Sequence, residues 1–243
     1  MSTPLVLLHG WGSAPGVWDP LVAALPTPRQ TLAPALPGHA DAAPMTASLE
    51  GWAASIAAGL PAQFDLCGWS LGALVALTLA ATAPARVRRL VVLGASPSFA
   101  RRPDWPHGLP MADIEAFLDE FERDAAGLMK RFTGLQTLGD SARRAVATRL
   151  RIHQPTRDDA DGGLAAGLRL LRDADVRPLL AQIDCPVRIL HGRGDALMPV
   201  SGAPALADLL ADARLTVLED CGHAPHLSRA ADCATLIAGF LGD

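Results

Sequence analysis

The five residues Gly68-Trp69-Ser70-Leu71-Gly72 restrict the fold of this chain more than any other segment, because of what flanks them. Upstream, Phe64-Asp65-Leu66-Cys67 reads as a short buried strand. Downstream, the apolar run over 71–83 has the length of a helix and stops at Pro84. A glycine-x-serine-x-glycine between a strand and a helix is a turn so sharp that side chains at its glycine positions would clash. Such a turn lifts the Ser70 hydroxyl clear of the sheet and sets it at a helix N-terminus, where unpaired N–H groups can meet an oxyanion. The strand–turn–helix setting carries this inference, since small residues co-occur by chance in so alanine-rich a chain.

The flanking segments extend the pattern. Strand signals at 5–8, 31–36, 64–67, 90–93, 187–190 and 215–218 alternate with helical spacing over 49–60, 71–83, 203–210 and 231–241. Apolar runs separated by helices predict an α/β fold with a mostly parallel central sheet flanked by helices. From Pro97 to about residue 175 no strand signal appears. A proline-rich loop around Trp105 leads into helical spacing over 111–131, 141–153 and 163–172. Residues 1–97 and 176–243 are therefore expected to form the core, with 98–175 a helical lid inserted over the site.

Composition narrows the function classes. A chain of 243 residues, half of them apolar, can bury a sizeable core, and its formal charge of −4 argues against a general nucleic-acid binder. Cys67, Cys185, Cys221 and Cys233 lie far apart, which is neither a disulfide framework nor a zinc pattern. No apolar stretch reaches the ~20 residues of a membrane span. The first strand signal comes too early to leave room for a secretory signal. The expectation is a cytoplasmic protein with reduced thiols.

A serine hydroxyl is a poor nucleophile at neutral pH and needs a base within hydrogen-bond reach, itself oriented by a third group. With a serine on such an elbow, the partners are expected in the order Ser, Asp, His. Asp195, in Gly192-Arg193-Gly194-Asp195, follows the 187–190 strand signal, and His223, in Cys221-Gly222-His223-Ala224-Pro225, follows the one at 215–218. Both then share the carboxyl edge of the sheet with Ser70, where open α/β folds bind ligands. Among seven histidines, His226 is the serious rival, and His223 is preferred because Gly222 precedes it and it lies nearer the strand end. Asp173, Asp175, Asp184, Asp212 and Asp220 read as caps or surface charges. The oxyanion donors are expected to be the Leu71 N–H and the Trp11 N–H, the latter in His9-Gly10-Trp11-Gly12 after the first strand. Since the main chain donates, substitution of the Trp11 side chain is expected to hurt less than Ser70→Ala.

These motifs resemble those of the α/β-hydrolase superfamily. Within it, Ala95-Ser96-Pro97-Ser98-Phe99, Asp104-Trp105-Pro106 and Arg131-Phe132-Thr133-Gly134-Leu135-Gln136-Thr137 resemble the pimeloyl-acyl-carrier-protein methyl ester esterases of biotin synthesis. The resemblance implies Ser70, Asp195 and His223 as triad, and Trp11 and Leu71 against the ester. It implies Phe132, Thr133, Gly134, Leu135 and Gln136 along an acyl channel, and Arg131 and Arg143 as docking residues for the acidic carrier. The family's other two arginine positions fall on Gly127 and Ala147. An apolar tunnel is expected from Trp69, Phe132, Leu135 and Leu138. A basic rim is expected from Lys130, Arg131, Arg143, Arg144, Arg149, Arg151 and Arg157. The implied protein is a monomeric serine carboxylesterase needing no metal or organic cofactor, with acyl-carrier protein bearing a pimeloyl methyl ester as partner. Alternatives are a general short-chain carboxylesterase or lactonase, a C–C bond hydrolase with the same triad, and a ligand receptor that keeps the hydrolase fold.

Overall fold

Leu5, Val6, Leu7 and Leu8 are all buried, and they alternate between two separate cores: Val6 and Leu8 in one, Leu5 and Leu7 in the other. Alternation with both sets buried means a sheet covered on both faces. In the computed structural model, which describes residues 3–154 and 162–242, this strand is β1 (Leu5–Leu8) of a parallel sheet. The others are β2 (Thr31–Leu32), β3 (Phe64–Trp69), β4 (Val87–Leu93), β5 (Val187–Gly192) and β6 (Ala213–Leu218), in the order β2-β1-β3-β4-β5-β6. The chain leaves β1 for β2 on one side and returns to β3 on the other. The gap between the β1 and β3 ends is therefore the point where the winding reverses.

The α-helices are α1 (Asp19–Ala23), α2 (Leu49–Ala58), α3 (Leu71–Thr82), α4 (Met111–Arg123), α5 (Ala125–Gln136), α6 (Arg143–Ile152), α7 (Gly163–Asp173), α8 (Gly202–Asp208), α9 (Pro225–Ser228) and α10 (Ala230–Leu241). Helix α3 is buried from Leu71 through Ala81, which explains why its sequence is apolar all round. Helices α4 to α7 form an insertion between β4 and β5. Leu128 and Phe132 of α5 and Leu168 of α7 join one core, whereas Val146 and Leu150 of α6 join the other. The insertion thus straddles the sheet.

Two expected elements differ in extent. The strand foreseen over 31–36 ends at Leu32, because Pro34 and Pro37 have no N–H for a ladder, and the Leu36 N–H goes instead to His9 Nε2 at 3.1 Å. The single helix foreseen over 111–131 is two. Asp124 leaves helical geometry at φ −152° and caps α5 by accepting from the Gly127 N–H at 2.8 Å. Helices α1 and α9 were not foreseen.

Close backbone approaches fix the turn after β3. A Cβ added to Gly68 would lie 2.4 Å from the Gly72 carbonyl oxygen, and one added to Gly72 would lie 2.2 Å from that of Leu8. The start of α3 is pressed onto the exit of β1 with no room for a methyl group. Gly72→Ala is expected to cost about 1–3 kcal/mol through overpacking, at about 2–4 °C of melting temperature per kcal/mol for a chain of this size. Gly134→Ala, whose added Cβ meets nothing within 4 Å inside a helix, serves as the control and should leave stability unchanged or slightly raised in the same thermal melts.

Candidate functional site

Ser70 sits at φ 57° and ψ −121°, a backbone conformation that L-residues rarely adopt. Its N–H donates to the Leu93 carbonyl of β4 at 3.1 Å. The loops after β5 and β6 bring the other two groups to this edge. His223 Nε2 lies 2.9 Å from Ser70 Oγ, and His223 Nδ1 lies 2.7 Å from Asp195 Oδ2. The other Asp195 oxygen accepts from the Leu197 and Met198 N–H groups, each at 2.9 Å. Burial alone pushes the Asp195 carboxyl up, but the His223 charge and hydrogen bond, the His191 ring and the Met198 N–H outweigh it. The group is held below the ordinary carboxylate range. An ionised Asp195 keeps the proton on Nδ1, which leaves the Nε2 lone pair to accept from the serine hydroxyl.

His223 is itself held from both sides. Its N–H donates to the Gln136 carbonyl at 3.1 Å, and its carbonyl accepts from Trp69 Nε1 at 2.8 Å. Trp69 is fully buried behind the imidazole, so it braces the base rather than lining a tunnel. His226 does not approach the serine. It lies between Trp18 and Trp69, with ring centroids 4.6 and 4.5 Å away, and burial drives its imidazole down to about 3. His9 accepts from Leu36, and His191 reaches the Met198 carbonyl at 2.7 Å.

A Cβ on Gly10 would lie 3.1 Å from Ser70 Cβ, so the turn after β1 touches the elbow. The Leu71 N–H, at the first residue of α3, has no intrahelical acceptor, and the Trp11 N–H makes no backbone hydrogen bond among the described residues. Leu71 follows Ser70 directly, and Trp11 follows Gly10 in the turn that touches the elbow. The Trp11 indole has a task that no local signal announced. It is 1% exposed, donates from Nε1 to the Leu164 carbonyl at 2.8 Å, and meets Phe132 edge-on at 5.0 Å and Phe121 at 5.9 Å. One side chain on the core thereby touches α4, α5 and the start of α7.

The five residues expected along a channel occupy two faces of α5. Phe132 and Leu135 pack on the core, and Gln136 is buried beside His223. Thr133 and Gly134 instead line a groove of about 550 Å³ between α5 and α6, together with Lys130, Arg143, Arg144 and Arg151. Consecutive helical residues diverge by about 100°, so they cannot all face one channel. Arg131 is on another side, paired with Glu120 and stacked 4.6 Å from the Phe117 ring. Leu138 is 44% exposed, and Arg157 lies outside the described residues.

Residues 5–236 match the model of the "Alpha/beta hydrolase family". The chain belongs to that family. This alpha/beta hydrolase is 46% identical over 239 residues to the "Pimeloyl-[acyl-carrier protein] methyl ester esterase" of Aromatoleum aromaticum, covering 96% of each chain. It is 39% identical over 230 residues to the protein of the same name from Nitrosomonas europaea, covering 92% of this chain and 90% of that one. Among solved structures, the enol-lactonase from Burkholderia xenovorans LB400 superposes with a TM-score of 0.87 and the esterase from Exiguobacterium antarcticum with 0.85. Each is 21% identical, and the match covers 100% of this chain and 92% of the other. They share the hydrolase's fold. No helix among its described residues is long and apolar enough to cross a membrane.

The buried indole sets an expectation for variants. Trp11→Ala should cost about 3–5 kcal/mol of stability, visible as an earlier thermal transition, and Trp11→Phe about 1 kcal/mol for the lost hydrogen bond. Both keep the main-chain donor, so each should retain more turnover per folded molecule than Ser70→Ala.

Proposed function

We propose that this alpha/beta hydrolase is a serine carboxylesterase that removes the methyl group from pimeloyl-[acyl-carrier protein] methyl ester in biotin synthesis. The observation that carries the proposal is the unbroken relay Ser70–His223–Asp195 at 2.9 and 2.7 Å in a chain so similar to esterases of that name. In this scheme Ser70 Oγ attacks the ester carbonyl while His223 Nε2 takes its proton. The oxyanion is held by the Trp11 and Leu71 N–H groups. As the tetrahedral species collapses, His223 returns the proton to the departing methoxy oxygen, and methanol leaves an acyl-serine. A water molecule, deprotonated by His223, attacks the acyl carbon. The serine recovers its proton and the free carboxylic acid departs, Asp195 orienting the imidazole throughout.

The insertion is assigned as a lid. Ser70 is 3% exposed beneath it, so hydrolysis takes place in a site shielded from bulk water. The acyl chain is assigned to the apolar side of α5 at Phe132 and Leu135. Carrier docking is assigned to the groove holding Thr133, Gly134 and Arg143, where four cations meet the acidic partner. Arg131, already paired within the chain, contributes less. The protein is placed in the cytoplasm as a monomer.

Methanol release from the carrier-bound methyl ester tests the activity. Wild type should turn over, and Ser70→Ala should lose turnover together with labelling by a fluorophosphonate probe. Cleavage of short esters alone, with the carrier-bound ester untouched, would reject the physiological substrate. Docking predicts a salt dependence. KM for the carrier-bound ester should rise with ionic strength. It should rise about tenfold (1.4 kcal/mol) on charge reversal at Lys130, Arg143 and Arg144, far more than for a short ester without the carrier.

A further inference from the structure

The turn that follows α5 crosses the carboxyl edge of the sheet where the Asp195 and His223 loops emerge; it is hydrogen-bonded to the His223 loop and packed against the Asp195 loop. Asp140, 7% exposed, spends its two carboxylate oxygens on two amides: Oδ2 accepts from the Gly222 N–H at 3.0 Å and Oδ1 from the Ala142 N–H at 2.8 Å. The next amide of the base loop, His223 N–H, goes to the Gln136 carbonyl, and the Ser141 N–H returns to the Asp220 carbonyl at 3.0 Å. Gly139 and Gly194 meet backbone to backbone: a Cβ on Gly139 would lie 2.6 Å from the Gly194 carbonyl oxygen, and one on Gly194 2.7 Å from that of Gly139. A Cβ on Gly222 would lie 2.9 Å from the Leu138 carbonyl oxygen, so this contact, too, requires glycine.

We propose that Asp140 is a positioning residue, the centre of a clasp through which the insertion holds the His223 loop in register with Ser70 and Asp195. The proposal rests on the assignment of Ser70, His223 and Asp195 as the catalytic relay. Residues 219–224 belong to no helix or strand, and Asp220 within them has φ 54°. Their conformation is therefore set from outside. Two successive amides, Gly222 and His223, are held by two acceptors, the Asp140 carboxylate in the turn after α5 and the carbonyl of Gln136 at the helix end, which fixes the base of the imidazole. Removal of Asp140 leaves a buried N–H unpaired directly beside the base, and a misplacement of about 1 Å at a catalytic group costs up to ~10²-fold in rate. Asparagine is only a partial substitute. Its amide has one acceptor oxygen, and the NH2 group would be turned on one of the two N–H donors.

The test measures kcat and KM for the carrier-bound ester and for a short ester in wild type, Asp140→Ala, Asp140→Asn and Ser70→Ala. The low-field 1H resonance of the His223 Nδ1 proton shared with Asp195 is recorded alongside. Asp140→Ala should lower kcat about 10- to 100-fold on both substrates, with KM within about twofold and the resonance shifted or lost. Asp140→Asn should be intermediate, and it carries the comparison should the alanine variant not fold. A kcat within about twofold of wild type would overturn the proposal. So would a lower kcat with the resonance unmoved, the mark of general destabilisation. Wild-type turnover that survives in Ser70→Ala would instead overturn the relay itself.

Discussion

The constraint on which the rest of the structure depends is the conformation forced on Ser70. A positive φ at a residue with a side chain costs about 1–3 kcal/mol, and here it is held from three directions. The Leu93 carbonyl takes the Ser70 N–H, the buried helix α3 begins at the next residue, and Gly72 lies against the exit of β1. These contacts place the start of α3 and the turn after β1 on either side of the serine. Both come from the point where the sheet reverses its winding, so hydroxyl and candidate oxyanion donors meet for a topological reason. A methyl group at Gly68 or Gly72 would separate them.

The relay demands more of the polypeptide than the elbow does, because its members come from loops after three different strands. Asp195 is ionised despite burial because His223 and two amides face it, and that charge selects the imidazole tautomer. The insertion then joins the loops to one another. Trp11 ties the turn after β1 to α4, α5 and α7, while the end of α5 takes the His223 amide. An insertion that packs on both faces of the sheet cannot shift as a block without disturbing one of these ties.

What could be read from the sequence was what is local. The elbow, the glycine-flanked Asp195 and the Gly222-His223 pair each stand directly after a strand, and strand ends of a parallel sheet share an edge, so three short motifs sufficed to assemble the site. The break between α4 and α5 was also locally encoded, in Asp124 three residues before Gly127, but the helical spacing runs through it and conceals it. The roles of the Trp11 indole, the Trp69 N–H and Asp140 were not legible. Their partners lie 153, 154 and 82 positions away, at Leu164, His223 and Gly222. No period or spacing encodes such pairs, because they exist only after the insertion has been laid across the sheet. The division of Phe132–Gln136 between two helix faces was hidden for a related reason. A motif in a string has no direction until the helix around it is oriented.

Charge follows the same logic of place over composition. The chain as a whole is acidic, with a formal charge of −4, so its net field repels an acidic partner. Fields in physiological salt decay over about 8 Å, however, and a docking partner feels chiefly what lies within that distance. Arg131 is neutralised by Glu120 and occupied by Phe117. Lys130, Arg143, Arg144 and Arg151 share one groove and form no ion pair among the described residues. A cation already satisfied inside its own chain offers little to a visitor. The groove between α5 and α6 is therefore the stronger attractor, and it is built on the same helix that holds the His223 amide. A carrier docked there, as proposed, would rest on the same helix whose last residue, Gln136, accepts the His223 amide.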